Sequence, residues 1–171
     1  MKIATIFFTV FFAFTSSAVA LSESQTNFQP KTKQCTELEF GLRFDCAADW
    51  KWKRVDNAIL IIMSQEPIIT LNIMKLDPEI KLLGQVNHDL LKEKAVYQEG
   101  FQTEYTTFAG KKAIRAKAFS KHFPNIRLLD YYYIYNGALY GVLFSIQPKE
   151  EWEAHQPMIS QVTNSFEFLY E

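Results

Sequence analysis

Asn136-Gly137 lies between two β-rich runs, Arg127 to Tyr135 and Ala138 to Ile146. Both central positions of a two-residue hairpin turn need positive φ, which Asn and Gly tolerate best. The dipeptide therefore fixes a hairpin and its register. Tyr135 is predicted to face Ala138, Tyr133 to face Tyr140, and Tyr131 to face Val142. Ile134 opposite Leu139 and Leu128 opposite Ser145 lie on the other face. Both faces are largely apolar, so this hairpin is expected to be central and covered on both sides.

Other strands follow from the same signals. Phe101 to Phe108 and Lys112 to Ser120 flank Ala109-Gly110-Lys111, a turn that sets Tyr105 opposite Ile114 and Glu104 opposite Arg115. Ala58 to Met63 and Pro67 to Met74 are short and Ile-rich around a Ser64–Pro67 turn. They read as a hairpin buried on both faces. Leu38, Phe40, Leu42, Phe44 and Cys46 alternate with polar residues, and Ser165 to Leu169 alternates again at the end of the chain.

Two helices interrupt the strands. Asp77-Pro78-Glu79 carries a cap, a first-turn proline and an acid that suits the dipole. The helix it predicts runs to about Gln98, with Leu83, Val86, Leu90, Leu91 and Lys94 on one face. A second helical pattern begins at Pro148 with Trp152, Ile159 and Val162 as its apolar marks. Pro157 is expected to kink it or to start a new helix. Hairpin strands with segregated helices give an α+β class. The expected architecture is a single-domain antiparallel sheet flanked by one long helix and a C-terminal helix.

Residues 1–20 read as a secretory leader: Lys2, an apolar run from Ile3 to Phe14, and Ala18-Val19-Ala20 as the cleavage site. The run is about 12 residues, short of the ~20 that span a bilayer. Residues 21–34 read as a polar, flexible lead-in and 35–171 as the domain. The product is expected to be periplasmic or secreted. There, the two cysteines, Cys35 and Cys46, meet conditions in which disulfides persist. A straight strand would hold them more than ~30 Å apart at 3.3 Å per residue, whereas a fold-back near Gly41 brings them side by side. The bridge Cys35–Cys46 is the favoured pairing. Two buried thiols or an intermolecular link are the alternatives. A ten-residue gap without a flanking His fits neither a redox motif nor a zinc site.

The stretch Gly41-Leu42-Arg43-Phe44-Asp45-Cys46-Ala47-Ala48-Asp49-Trp50 resembles the opening pattern of the PsbP-like (DcrB-like) superfamily, with Cys46 or Ala47 where that family usually has Pro. Gly110 before a strand, the Tyr131–Ser145 hairpin and the closing Asn164-Ser165-Phe166-Glu167-Phe168 resemble later parts of it. The resemblance covers most of 36–169. It implies an antiparallel sheet flanked by helices and no shared catalytic residues. The better-known members act by binding proteins.

The chemistry carried by individual residues agrees with a binding role. No G-x-S-x-G motif and no phosphate-cradling loop is present. His88, His122 and His155 are widely separated, and Asp45, Asp49 and Asp56 form only a loose acidic group. No catalytic residue, metal or cofactor is expected. With 18 basic and 19 acidic residues, the chain lacks the basic excess of a nucleic-acid binder. Lys111-Lys112, Arg115, Lys117 and Lys121 form a basic stripe, in which Lys111, Arg115 and Lys117 share one strand face. The stripe suits either a solvated edge or a surface for an acidic partner or anionic lipid. Trp52, among Lys51, Lys53 and Arg54, is expected to be the exposed aromatic of a partner interface. The function expected is an exported, soluble, non-enzymatic protein-binding module of the bacterial envelope, of accessory or inhibitor/immunity type. A periplasmic small-molecule or lipid carrier is the alternative.

Overall fold

The computed structural model describes residues 32–77, 82–120 and 123–170. The leader and most of the lead-in lie outside them, as do Pro78, Glu79, Lys121 and His122. Ten strands form two antiparallel sheets among the described residues. β1 (Thr32–Glu37), β2 (Leu42–Ala47) and β10 (Glu167–Phe168) make the small sheet in the order β1-β2-β10. The large sheet has the order β3-β4-β5-β9-β8-β7-β6. Its strands are β3 (Lys51–Val55), β4 (Ala58–Gln65), β5 (Ile68–Asp77), β6 (Gln98–Phe108), β7 (Lys111–Ser120), β8 (Arg127–Tyr135) and β9 (Ala138–Gln147). Helix α1 (Leu83–Tyr97) precedes β6, and α2 (Trp152–Asn164) precedes β10.

The Asn136-Gly137 turn sets the register expected of it. Tyr135 faces Ala138, Tyr133 faces Tyr140 and Tyr131 faces Val142, and both turn residues have positive φ. β8 and β9 sit in the middle of the large sheet and are buried along most of their length. Period-two alternation then divides the sheet between two cores. Ala113, Tyr131, Tyr133 and Val142 join the inner cluster with Phe40, Leu42 and Phe44 of the small sheet side and Trp152, Ile159, Val162 and Phe166 of the α2 side. Ile114, Ala116, Tyr132 and Leu139 point the other way and pack under Val86 of α1. The large sheet is thus sandwiched between the small sheet with α2 and, over part of its other face, α1.

Several local expectations change. β1 begins at Thr32, inside the segment read as lead-in, because Thr32 to Glu37 pairs along Ala47 to Leu42. β3 was not legible as a strand, since its five residues carry three cations and gain their order by pairing with β4. β4 and β5 are buried on one face only: Ile59, Ile61, Ile69 and Leu71 are buried, while Leu60 and Ile62 are partly exposed. Asp77 ends β5 opposite Leu139, and the helix start expected at Asp77-Pro78-Glu79 falls largely on residues outside those described. In α1, Val86 is buried, but Leu91 is 45% exposed. Pro157 stays within α2. Glu153 and Pro157 are both exposed, so solvent can satisfy the carbonyl left without its donor.

The cysteine fold-back forms as expected. A 3₁₀ turn, Leu38–Phe40, leads to Gly41 at φ 62°, and β2 returns along β1. Cys35 and Cys46 are bonded, with Cα atoms 5.9 Å apart. Gly41 is needed twice: for its left-handed backbone, and because a Cβ there would lie 2.7 Å from Cε1 of Tyr135. Gly41→Ala is expected to cost about 1–3 kcal/mol, read as a lowered urea midpoint with an unchanged slope. A midpoint equal to wild type would contradict this packing.

Candidate functional site

The β6–β7 hairpin projects beside the C-terminal end of α2 and the short β10. A groove of about 660 Å³ runs through this seam. Thr106, Thr107 and the Ala109-Gly110 turn form one wall, and Thr163, Asn164 and Glu167 form the other. Phe108, Phe166 and Phe168 supply an aromatic floor, with Phe166 stacked 4.5 Å from Phe44 and 5.0 Å from Phe108. A smaller hollow of about 320 Å³ adjoins it at Arg115 and is lined by Gln102, Thr103, Glu104 and Lys117.

The structure brings the basic stripe to this seam. Lys111 and Arg115 line the groove and Lys117 the adjoining hollow. They share the inner face of β7, as Arg115↔Tyr131 and Ala113↔Tyr133 pairing requires. Lys111 Nζ stands 5.9 Å over the Phe168 ring. Arg115 donates through Nε to Glu104 Oε1 at 2.6 Å. Burial alone would lower the Arg115 pKa, but Glu104 and Tyr131 together outweigh it and raise the guanidinium pKa. Beside it, the Tyr131 hydroxyl is pushed above the usual phenol range, first by burial, with Arg115 and Thr163 opposing. Lys112 lies on the other face, and Lys121 is outside the described residues.

The Trp52 patch takes another form. Trp52 is half-buried, packed against the edge of the inner core and stacked on Phe44 at 5.8 Å, so it is less exposed than its cationic neighbours led one to expect. Its position opposite Ile61 turns it inward, toward Phe44 of the small sheet. Arg54 is held by Glu37 and Glu39, clasping β3 to the first hairpin. Lys51 and Lys53 are exposed. β3 and β6 are opposite edges of the large sheet. The β3 and β7 cations therefore lie about 24 Å apart at 4.8 Å per strand and form no common surface. Tyr105, 64% exposed on β6, is an aromatic that the sequence reading did not single out as exposed. Its exposure comes from its place on the edge strand, which no local pattern reveals.

No catalytic geometry links the histidines that the structure describes. His88 and His155 stand on helices packed against opposite faces of the large sheet. His155 Nδ1 lies 3.0 Å from the Glu151 carbonyl oxygen of its own helix end. Among the described residues, no three His, Cys, Asp or Glu side chains gather as ion ligands. Among them, too, no helix is long and apolar enough to cross a membrane.

Two buried phenols of β8, one on each face of the large sheet, give a pH test. Tyr132 and Tyr133 are held well above the ordinary phenol pKa, first by burial. The Asp130 charge adds to this at Tyr132, and neighbouring tyrosines add to it at Tyr133. A group whose folded pKa is raised gives stability that is complete below the unfolded value, about 10. That stability is lost as pH rises through the folded value. Stability is expected to fall above about pH 10, by up to ~1.4 kcal/mol per pH unit for each phenol. Phenolate absorbance from these two residues should appear only with unfolding. Full ionisation of all eight tyrosines in a folded chain would contradict this.

No family model matches the sequence, and no curated protein resembles it closely. Solved structures do resemble the fold. Cyanobacterial PsbP (CyanoP) from Synechocystis sp. PCC 6803 superposes at TM-score 0.55 and 11% identity, covering 86% of this chain and 98% of that one. The Ran-binding protein Mog1p of Saccharomyces cerevisiae superposes at 0.54 and 7% identity, over 82% and 97%. A Pseudomonas aeruginosa protein of unknown function, PA94, a putative regulator, superposes at 0.50 and 12% identity, over 76% and 92%. The chain has the PsbP-like α+β fold, which its sequence motifs anticipated.

Proposed function

We propose that this protein is an exported, non-enzymatic protein-binding module of the bacterial cell envelope, of accessory or inhibitor/immunity type, and that it docks its partner at the seam groove. The observation that carries this reading is the placing of Lys111 and Arg115 on an open, aromatic-floored groove, with Lys117 on the hollow that adjoins it at Arg115. Charged rims around aromatic floors suit protein recognition. The leader read in residues 1–20 and the paired cysteines support export. A similar fold serves a Ran-binding protein, which supports a binding role. A carrier would need an apolar chamber between sheet and helix. That space is filled by Phe44, Phe108, Tyr133 and Phe166 packed ring on ring.

The test is crosslinking of the tagged protein in its native envelope fraction, followed by mass spectrometry. One stoichiometric protein partner is expected. It should be lost with Lys111→Glu/Lys117→Glu and kept with Lys51→Glu/Lys53→Glu at the opposite edge. The reverse pattern would move the site to β3. A co-purifying lipid with no protein partner would favour the carrier.

A further inference from the structure

Resting on the docking role proposed above, we infer that the seam takes an extended acidic segment of the partner, with carboxylates six residues apart that meet Lys111 and Lys117. The cations set that spacing. Lys111, Arg115 and Lys117 share one strand face and span about 20 Å at 3.3 Å per residue. An extended chain also shows alternate side chains on one face, so its carboxylates can follow the same even intervals.

The charges of the site are left for such a partner. Among the described residues, Lys111 and Lys117 have no carboxylate within ion-pair distance. Glu104 takes one side of the Arg115 guanidinium, which has five N–H donors. Glu167, the carboxylate on the far wall, is held by Arg43. The groove is therefore locally cationic in a chain of net charge −1.

The neighbouring strand favours an extended occupant. β3, one edge of the large sheet, is five residues long and carries Lys51, Lys53 and Arg54, which discourage pairing. β6, the other edge, has 11 residues with no Lys, Arg or Pro. Among the described residues, Gln102 to Phe108 makes no main-chain hydrogen bond except with β7. A segment laid along β6 gains main-chain pairing at this open edge. Its acidic side chains face the long, flexible stems of Lys117, across Gln102, and Lys111, across Phe108. An anionic membrane is a poorer occupant, because a lipid surface has no main chain to pair with the open edge of β6.

The test is selection of displayed random peptides, about twelve residues long to exceed the ~20 Å span, on the full tagged chain. Enriched peptides are expected to carry Asp or Glu at a six-residue separation. A synthetic copy should bind roughly fivefold or more weakly to Lys111→Ala/Lys117→Ala, and equally to Lys51→Ala/Lys53→Ala. Unchanged urea midpoints confirm that both variants fold. Absence of enriched peptides, enrichment without acids, or equal binding to the Lys111/Lys117 variant overturns the inference. So does tighter binding to phosphatidylglycerol vesicles than to any peptide, with the same lysine dependence. If the crosslinked envelope partner still depends on Lys111 and Lys117 in those cases, the docking role stands and only the acidic-segment inference falls. If that dependence also fails, both fall.

Discussion

Phe166→Ala is expected to destabilise the protein by about 3–5 kcal/mol, the range for removing a buried aromatic ring. Phe166 is 2% exposed and lies just after α2. Its ring stacks on Phe44 of β2 and tilts against Phe108 of β6. One side chain thus joins the small sheet to the edge strand of the large one. Removing it leaves a cavity whose walls are held in two different elements, β2 and β6, so collapse is resisted. Domains of this size have about 5–15 kcal/mol of total stability, so the variant should lie near the folding threshold. Urea unfolding of wild type, Phe166→Leu and Phe166→Ala checks it, with Leu expected between the two. A loss below about 1 kcal/mol for Ala would mean that the seam is not held by this ring.

Reducing the Cys35–Cys46 bridge is expected to cost about 3 kcal/mol, the loop-closure value for a sequence separation of this order. β1 depends on it more than any other strand. Its single sheet neighbour is β2, and the small sheet contains only three strands. With the bridge open, the six residues of β1 are held by one ladder and by the ion pair between Glu37 and Arg54. A reductant should lower the urea midpoint of wild type and leave a Cys35→Ser/Cys46→Ser chain unchanged. Alkylation with and without prior reduction, read as intact mass, tests the pairing itself. If both thiols react without reductant, no bridge forms.

The hairpins could be read from the chain because their determinants are local. Asn136-Gly137 fixed β8 against β9, and Ala109-Gly110 fixed Glu104 opposite Arg115. Gly41 permitted the cysteine fold-back. β3 could not be read this way, since its order comes from β4. The fate of Trp52 was equally hidden. Its cationic neighbours suggested a surface, but Phe44 of the small sheet stacks on it and leaves it half-buried. Nor does the local pattern show that β5 runs on to Asp77, which takes Leu139 of β9 as its strand partner.

The candidate site divides in the same manner. Strand parity alone placed Lys111, Arg115 and Lys117 on one face, because side chains alternate with a period of two. It could not say what that face meets. The groove joins residues 106–115, 131 and 163–168, which are distant in the chain. By itself the sequence determined the turns, the register and the α+β class. Only the tertiary structure decided which strands became edges and which cations stayed unpaired. It also decided where the aromatic floor lies. Turn chemistry and alternation act between near neighbours, whereas edges, seams and burial arise only when whole layers pack against one another.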